Sequence, residues 1–480
     1  MSEPVPLPIA NGFYLSDSLP ISAQECVNWY VNIPQAPALN EENLFGTPGT
    51  TQLATTGLLA DQINRGAETL DEAPYEVNGG NLYRLESDFT LTDLGVIEGT
   101  GRVSMAENGT QLMILVPGGK GYIFTVAGGL VEIVAAGFTA NGAPQHVKYV
   151  DGFFMCTTDQ KLFIISALND GTNWNSLDRQ GAESDPDKVV ALIIHNNQPV
   201  IAGSTTLEFF QNIASGADFP FRRTGLFIKR GVKAPFSLIN HDNTFMFIGG
   251  GENESPAIWK MVGNTLEKIS TTAIDSILQK FTEDEISTAF AWSYAQKGAY
   301  FVGFSLPTTT LVLDTITNRW AERKSQITDA KGATQTVRCR INSIVTAYGK
   351  VIVGDSQDGR IGSLDPSVFT EYDRNIIRPV STQPFQNNMK PVFVPHLELT
   401  TESGVGNNAK EDPVITLEIS KDGGKTYGKP RTRRLGKKGE YERRQIWRRN
   451  GRIPRFAIFR FVHSAPVKPV IIQLTMGVPE

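Results

Sequence analysis

Thr110–Phe124 reads TQLMILVPGGKGYIF: two strand-forming runs placed back to back across a Pro-Gly-Gly-Lys turn. That is hairpin chemistry, because β-branched and aromatic residues favour a pleated surface and glycine supplies the turn. The arrangement recurs in DGFFMCTTDQKLFII (Asp151–Ile165), NNQPVIAGSTTLEFF (Asn196–Phe210) and GKVIVGDSQDGRIGSL (Gly349–Leu364). Units begin near Arg65, Glu107, Val150, His195, His241, Gln296 and Tyr348, spaced 42, 43, 45, 46, 55 and 52 residues apart. A period in the forties with several short strands per unit predicts a β-propeller. One blade cannot bury both faces, so blades pack radially and close into a ring. The count is six or seven blades, and a sandwich of unequal hairpins is the alternative architecture.

The long fifth spacing has a local cause. Ile274, Ile277, Leu278 and Phe281 recur at helical spacing, and Thr282 with Glu285 forms a capping box. A helical insertion near 272–290 is therefore expected. Beyond Pro384 the texture changes to clean alternation, with Leu397, Leu399, Ile415, Leu417 and Ile419 on buried faces. RFAIFRFV and VIIQL are more continuously apolar, as central strands are. The expected organisation is an acidic N-terminal arm (1–60), an all-β propeller (61–380) and a C-terminal β-sandwich (385–480).

Composition narrows the function. Of 480 residues 40% are hydrophobic and 20% charged, which excludes a wholly disordered or fibrous chain. Cys26, Cys156 and Cys339 are odd in number and far apart, so a disulfide framework is not expected and a reducing place of synthesis fits. The longest apolar run, Val189–Ile194, falls far short of the roughly 20 residues of a membrane helix. A soluble chain made in a cytoplasm, without membrane insertion, is the expectation.

The net charge of −5 conceals a polarity. Residues 1–64 carry six acids and no Lys or Arg, whereas residues 421–460 carry fifteen basic side chains against three acids. Charge concentrated in this way usually concerns a partner, although a solvated hairpin face has the same pattern.

Catalytic spacings are not met. The five histidines stand singly, without HExxH or a close pair, so neither a metal nor a cofactor is expected. Pro117–Tyr122 (PGGKGY) has Gly121 where a phosphate loop needs Ser or Thr. Gly99–Ser104 (GTGRVS) has Ser104 where a dinucleotide loop needs glycine. The pairs Asp185/Asp187, Glu252/Glu254 and Asp355/Asp358 lie in turn-like sequence that backbone bonding explains.

Two C-terminal motifs are sharper. Ser420–Tyr427 (SKDGGKTY) fits the Asp-box pattern through Ser420, Asp422, Gly424, Thr426 and Tyr427. Its content is a hairpin whose Asp422 side chain bonds backbone amides, a structural turn. The basic stretch offers Arg431, Arg433, Arg434, Arg443, Arg444, Arg448, Arg449 and Arg452 as candidates facing a partner or DNA. Arginine suits phosphate because its planar fork binds in pairs and keeps its charge. Tyr441 and Trp447 among them could stack on exposed bases, or Trp447 could be core. Neutralising Arg443, Arg444, Arg448 and Arg449 is expected to weaken assembly or DNA retention without unfolding the monomer.

Together these segments resemble a known family. CVNWYVNIPQ (Cys26–Gln35) with LFGTPGT (Leu44–Thr50) resembles the opening of the packaged-DNA stabilisation proteins of short-tailed bacteriophages, the tail hub or nozzle. Thr205–Leu238, Gln296–Arg323, GDSQDGRIGSLDP and SKDGGKTY…GEYERRQIWRR follow in the same order, so the resemblance spans nearly the whole chain. Gly298 stands where the family has histidine, and Tyr427 replaces the Asp-box Trp. The resemblance implies a non-catalytic structural protein of the virion tail, assembled in the host cytoplasm. It implies a ring, commonly of six copies, beneath the head–tail adaptor ring, holding packaged DNA. The outer surface would dock tailspikes or tail fibres, and in some phages a needle or plug fills the ring. The competing expectation is a glycan-binding or sialidase-like propeller, which would need several Asp boxes and an arginine cluster at the propeller centre.

Overall fold

A computed structural model describes residues 3–182, 187–214, 219–328 and 331–478; Asp185 lies outside them. Seven sheets follow one another along the described chain between residues 64 and 365. Their innermost strands touch in sequence, and the innermost strand of the last sheet, Ile341–Ala347, meets that of the first, Asn64–Leu70. The ring is therefore a seven-bladed propeller.

The sequence units are phased one strand late. Glu107, Val150, His195, His241 and Gln296 are the last residues of innermost strands, so each unit starts at a turn rather than at a blade. The reason is that the turn is the strongest local signal. Asn196 and Asn197 both take positive φ, 48° and 60°, the conformation of a two-residue hairpin turn matched to strand twist.

Blade 7 closes differently. Its inner three strands end with Arg360–Asp365, and the next position is filled by Gly49–Thr55 from the N-terminal region, antiparallel to it. Closure with a distant strand removes an open edge and ties the first residues of the ring to the last.

The described residues of the expected 1–60 arm, 3–60, are consequently not a separate arm. Glu3–Leu7 pairs with Val470–Val478, and Trp29–Asn32 with Asn43–Gly46 extends the same sandwich sheet. The sandwich packs this sheet, continued by His396–Thr401 and Gln445–Arg448, against a second in the order Arg378–Ser381, Phe456–His463, Val414–Ser420, Arg431–Arg434. The segment satisfies strand edges that the C-terminal residues alone leave open.

One apolar core runs through both domains. It joins Met246 and Ile258 of blade 5, Phe304 and Leu313 of blade 6, Phe13, Trp29 and Leu44 of the N-terminal segment, and Leu417, Trp447 and Phe461 of the sandwich. Relative domain motion would have to open this core, so the body is rigid. Helices Thr272–Leu278 and Glu283–Ser287 lie between blades 5 and 6, the second opened by the Thr282–Glu285 capping box, and Ile274, Leu278 and Ile286 join the same core. A one-turn helix, Ala136–Thr139, sits between blades 2 and 3, where sequence periodicity is too short to announce it.

Candidate functional site: the arginine edge of the sandwich

The basic run divides into arginines that build the sandwich and arginines that face outward. Gln445–Arg448 is an edge strand, paired on one side with His396–Thr401. Arg433 Nε donates to Ile446 O at 2.7 Å and Arg431 Nη2 to Arg448 O at 2.5 Å. Guanidinium groups from the edge strand of one sheet thus cap carbonyls of the edge strand of the other. Arg431 also donates to Asn450 Oδ1 at 2.7 Å, and burial holds its guanidinium below the usual range. Trp447 is fully buried, edge-on to Phe461 at 5.5 Å, and its Nε1 donates to Arg431 O at 2.7 Å. It is a core residue and presents no face for stacking; Tyr441, 75% exposed, does.

Arg434 and Arg444 have acids of their own. Arg434 meets Asp412 at 2.5 Å, and Arg444 forks onto Glu398 at 2.7 and 2.6 Å, holding that carboxyl below its ordinary range. Strand alternation carried this signal: Leu397 and Leu399 point inward, so Glu398 between them points out beside the basic strand. Arg443, Arg448, Arg449 and Arg452 are exposed and, among the described residues, have no ion pair; Arg455 joins them. Charge on an edge strand also blocks edge-to-edge pairing, but the pairs Arg434–Asp412 and Arg444–Glu398 would do that without a surplus.

The Asp box is closed on itself. Ser420 Oγ donates to Asp422 Oδ1 at 2.7 Å, the amides of Lys425 and Thr426 donate to the same oxygen at 3.1 and 3.0 Å, and Thr426 Oγ1 donates to Oδ2 at 2.6 Å. These bonds hold the Asp422 carboxyl far below the usual range, the Thr426 hydroxyl contributing most. Arg460 lies 3.6 Å over the Tyr427 ring and bridges Glu418 and Glu25, joining the turn to the N-terminal segment. A Cβ added at Gly424, where φ is +92°, would stand 2.7 Å from Ala23 Cβ. Gly424→Ala is expected to cost about 1–3 kcal/mol, seen as a lower melting temperature with an unchanged far-ultraviolet spectrum.

Of the other candidate acids, Asp187, Glu254, Asp355 and Asp358 have partners within the chain. Asp187 Oδ2 accepts from the Thr205 amide and from the hydroxyls of Thr205 and Thr206, Glu254 forks onto Arg230, and Asp355 and Asp358 bind Arg340. Burial pushes the Cys26 thiol up to about 12 and Cys339 to about 11, and brings His146 and His463 down to about 3. Among the described residues no three His, Cys, Asp or Glu could hold a metal, and no helix is long and apolar enough to cross a membrane.

Comparison with known proteins agrees with this two-domain plan. The family described as bacteriophage P22 Gp10, beta-propeller, matches residues 5–369, and bacteriophage P22 Gp10, beta-sandwich, matches residues 378–478. The tail hub protein gp10 of Salmonella phage P22 is 24% identical over 426 residues, covering 84% of this chain and 86% of the relative. Solved structures that align include the WD40 propeller domain of Doa1 (12% identity, 66% of this chain and 97% of that one, TM-score 0.41). The N-terminal domain of Nup159 also aligns (9% identity, 69% and 97%, TM-score 0.40). Scores at that level support no argument about role. The two family matches leave only the ends of the chain and the short joint between the domains uncovered, and the chain belongs to the bacteriophage P22 Gp10 family of phage stabilisation proteins, as a structural protein of the virion tail.

Proposed function

We propose that copies of this chain form the ring that closes the tail beneath the head–tail adaptor, and that the arginine edge meets an anionic partner there, packaged DNA or an acidic face of the adaptor. One observation carries the reading: Arg443, Arg448, Arg449 and Arg452 stand exposed without acid partners among the described residues, on a body whose core is continuous. A rigid body transmits a force applied at one end to the other, as a hub needs. A cavity of ≈ 290 Å³ lies among innermost strands, lined by Gly66, Arg102, His146, Ser293 and Ser343, and in the proposed ring the DNA passage lies between copies. Six copies, tailspike or fibre docking on the outer surface, a needle in the ring and assembly in the host cytoplasm follow from the family resemblance.

The test uses DNA-filled particles lacking this protein, to which purified chain is added while DNA release and bound mass are followed. The wild-type chain is expected to bind saturably at a few copies and stop release. A variant with Arg443, Arg448, Arg449 and Arg452 changed to Gln is expected to fold normally and retain DNA poorly; Arg444 is left intact because it serves Glu398. If phosphate is the partner, each arginine–phosphate pair removed lowers the slope of log K against log salt by about 0.9. An unchanged slope with weaker binding points to the adaptor, and unchanged binding removes the arginine edge from the mechanism.

A further inference from the structure

The loop Gly99–Ser104, whose glycines resemble an incomplete nucleotide motif, has a different use. Arg65, 2% exposed, donates to the carbonyls of Gly101 (2.7 Å), Ile97 (2.9 Å), Glu98 (3.0 Å) and Gly79 (3.1 Å). Four bonds from one planar group tie Gly101 and the residues leading into the loop to the Gly79 turn, and the loop delivers Arg102 to the propeller axis. Its guanidinium lies 3.6 Å over the Phe290 ring, and Nη2 donates to Asn342 O at 2.9 Å and Oδ1 at 3.0 Å. Arg338 arrives from the other side, where the chain returns from the rim of blade 6. It stands 5.3 Å from the same ring and donates to the same Asn342 Oδ1 at 3.2 Å.

Two guanidinium groups therefore share one aromatic ring and one neutral acceptor, with no carboxylate in contact among the described residues. The acid acting on Arg338 is Asp355, already bound to Arg340. Like charges brought together without a counter-charge raise the energy of the unliganded protein. Burial, with Arg338 adding to it, brings Arg102 down to about 9. Among the described residues Arg102 Nε and Nη1 have no hydrogen-bond partner. Arg102, Arg338, Phe290 and Asn342 form the floor of a funnel of ≈ 700 Å³, walled by Val116, Pro117, Leu306 and Pro307 with the hydroxyls of Thr288 and Ser305.

We propose that this funnel binds a carboxylate carried on a protein segment, seated between Arg102 and Arg338. Arginine forks match carboxylate geometry, and the bound charge would cancel the repulsion between the two guanidinium groups. The apolar walls suit the stem of an acidic side chain and its neighbours. Phosphates of a duplex lie on a convex cylinder too wide to enter. The inference is independent of the role of the arginine edge.

The test selects random displayed heptapeptides on the full-length protein and on the variant Arg102→Gln with Arg338→Gln. The wild-type chain is expected to enrich peptides with Asp or Glu at a fixed position about tenfold over the variant, and free glutarate is expected to compete. Arg102→Lys, which keeps the charge, is expected to retain part of the enrichment. Arg338→Gln alone keeps a donor for Asn342 and is expected to melt at the same temperature as wild type or higher, since repulsion is relieved. Peptides without acid bias, equal bias on the double variant, competition by inorganic phosphate but not glutarate, or a lower melting temperature of Arg338→Gln would each overturn the proposal.

Discussion

Replacing Arg340 by alanine is expected to lower the unfolding free energy by about 3–5 kcal/mol, the cost of stranding buried charge. Arg340 is 5% exposed and binds Asp355, 0% exposed, at 2.8 Å and Asp358, 9% exposed, at 2.9 Å. The group sits where Ile341 enters blade 7 and where Gly49–Thr55 closes it, so losing it loosens the ring at its joint. Burial pushes the Asp355 carboxyl up, and Arg340 offsets part of that rise. Without the arginine the carboxyl rises further, so the native state of the variant holds its proton more tightly than the unfolded state does. Stability from such a group is present below the unfolded value near 3.8 and lost as pH rises through the folded value. The deficit of Arg340→Ala should thus be small near pH 4 and grow toward neutrality, and Arg340→Lys should fall between, having charge without the fork. Chemical denaturation at several pH values measures this. A deficit under about 1 kcal/mol at neutral pH would mean that Arg360, 3.1 Å from Asp358, neutralises the acids by itself.

Glu76→Gln is expected to act in the opposite direction. Glu76 is 1% exposed in blade 1, where its Oε2 accepts from Asn64 Nδ2 at 3.0 Å and no cation among the described residues compensates it. Burial pushes its carboxyl from 4.5 up to about 8, with Asn64 pulling weakly the other way. The folded state therefore prefers the protonated acid. Its contribution is complete below about pH 4.5 and declines as pH rises through about 8. At about 1.4 kcal/mol per unit, the loss across that window is on the order of 5 kcal/mol. Glutamine carries no titrating proton, so the variant should lack this decline and exceed the native protein in stability above pH 8. Parallel stability curves for the two proteins would show that Glu76 ionises in the fold without penalty.

Much of the architecture was legible because it is written locally. The Pro117–Gly119 turn and the Thr282–Glu285 capping box are decided by residues adjacent in the chain, and each formed where its chemistry placed it. The alternation of Leu397, Leu399, Ile415, Leu417 and Ile419 likewise named the inward face of the sandwich, where the first four are buried and Ile419 is half-buried against the same core. Charge was legible only as a total. Six acids at one end and fifteen bases at the other imply partners, yet Glu25 meets Arg460, Glu42 meets Arg319, and four of the eight candidate arginines are engaged within the chain.

Which residues become strands, where the chain turns, that a propeller-like repeat precedes a sandwich and that the C-terminal surface is basic are all written in the order of the amino acids. These depend on periodicity, turn chemistry and composition, which act over a few residues. Tertiary structure decided that Gly49–Thr55 closes blade 7, that Glu3–Leu7 joins the sandwich, that Trp447 is core, and that Arg102 and Arg338 converge on Phe290. A strand edge offers the same amides and carbonyls to every partner, and an arginine the same charge. Which one each meets is settled only when the whole core packs and unpaired groups must be satisfied together.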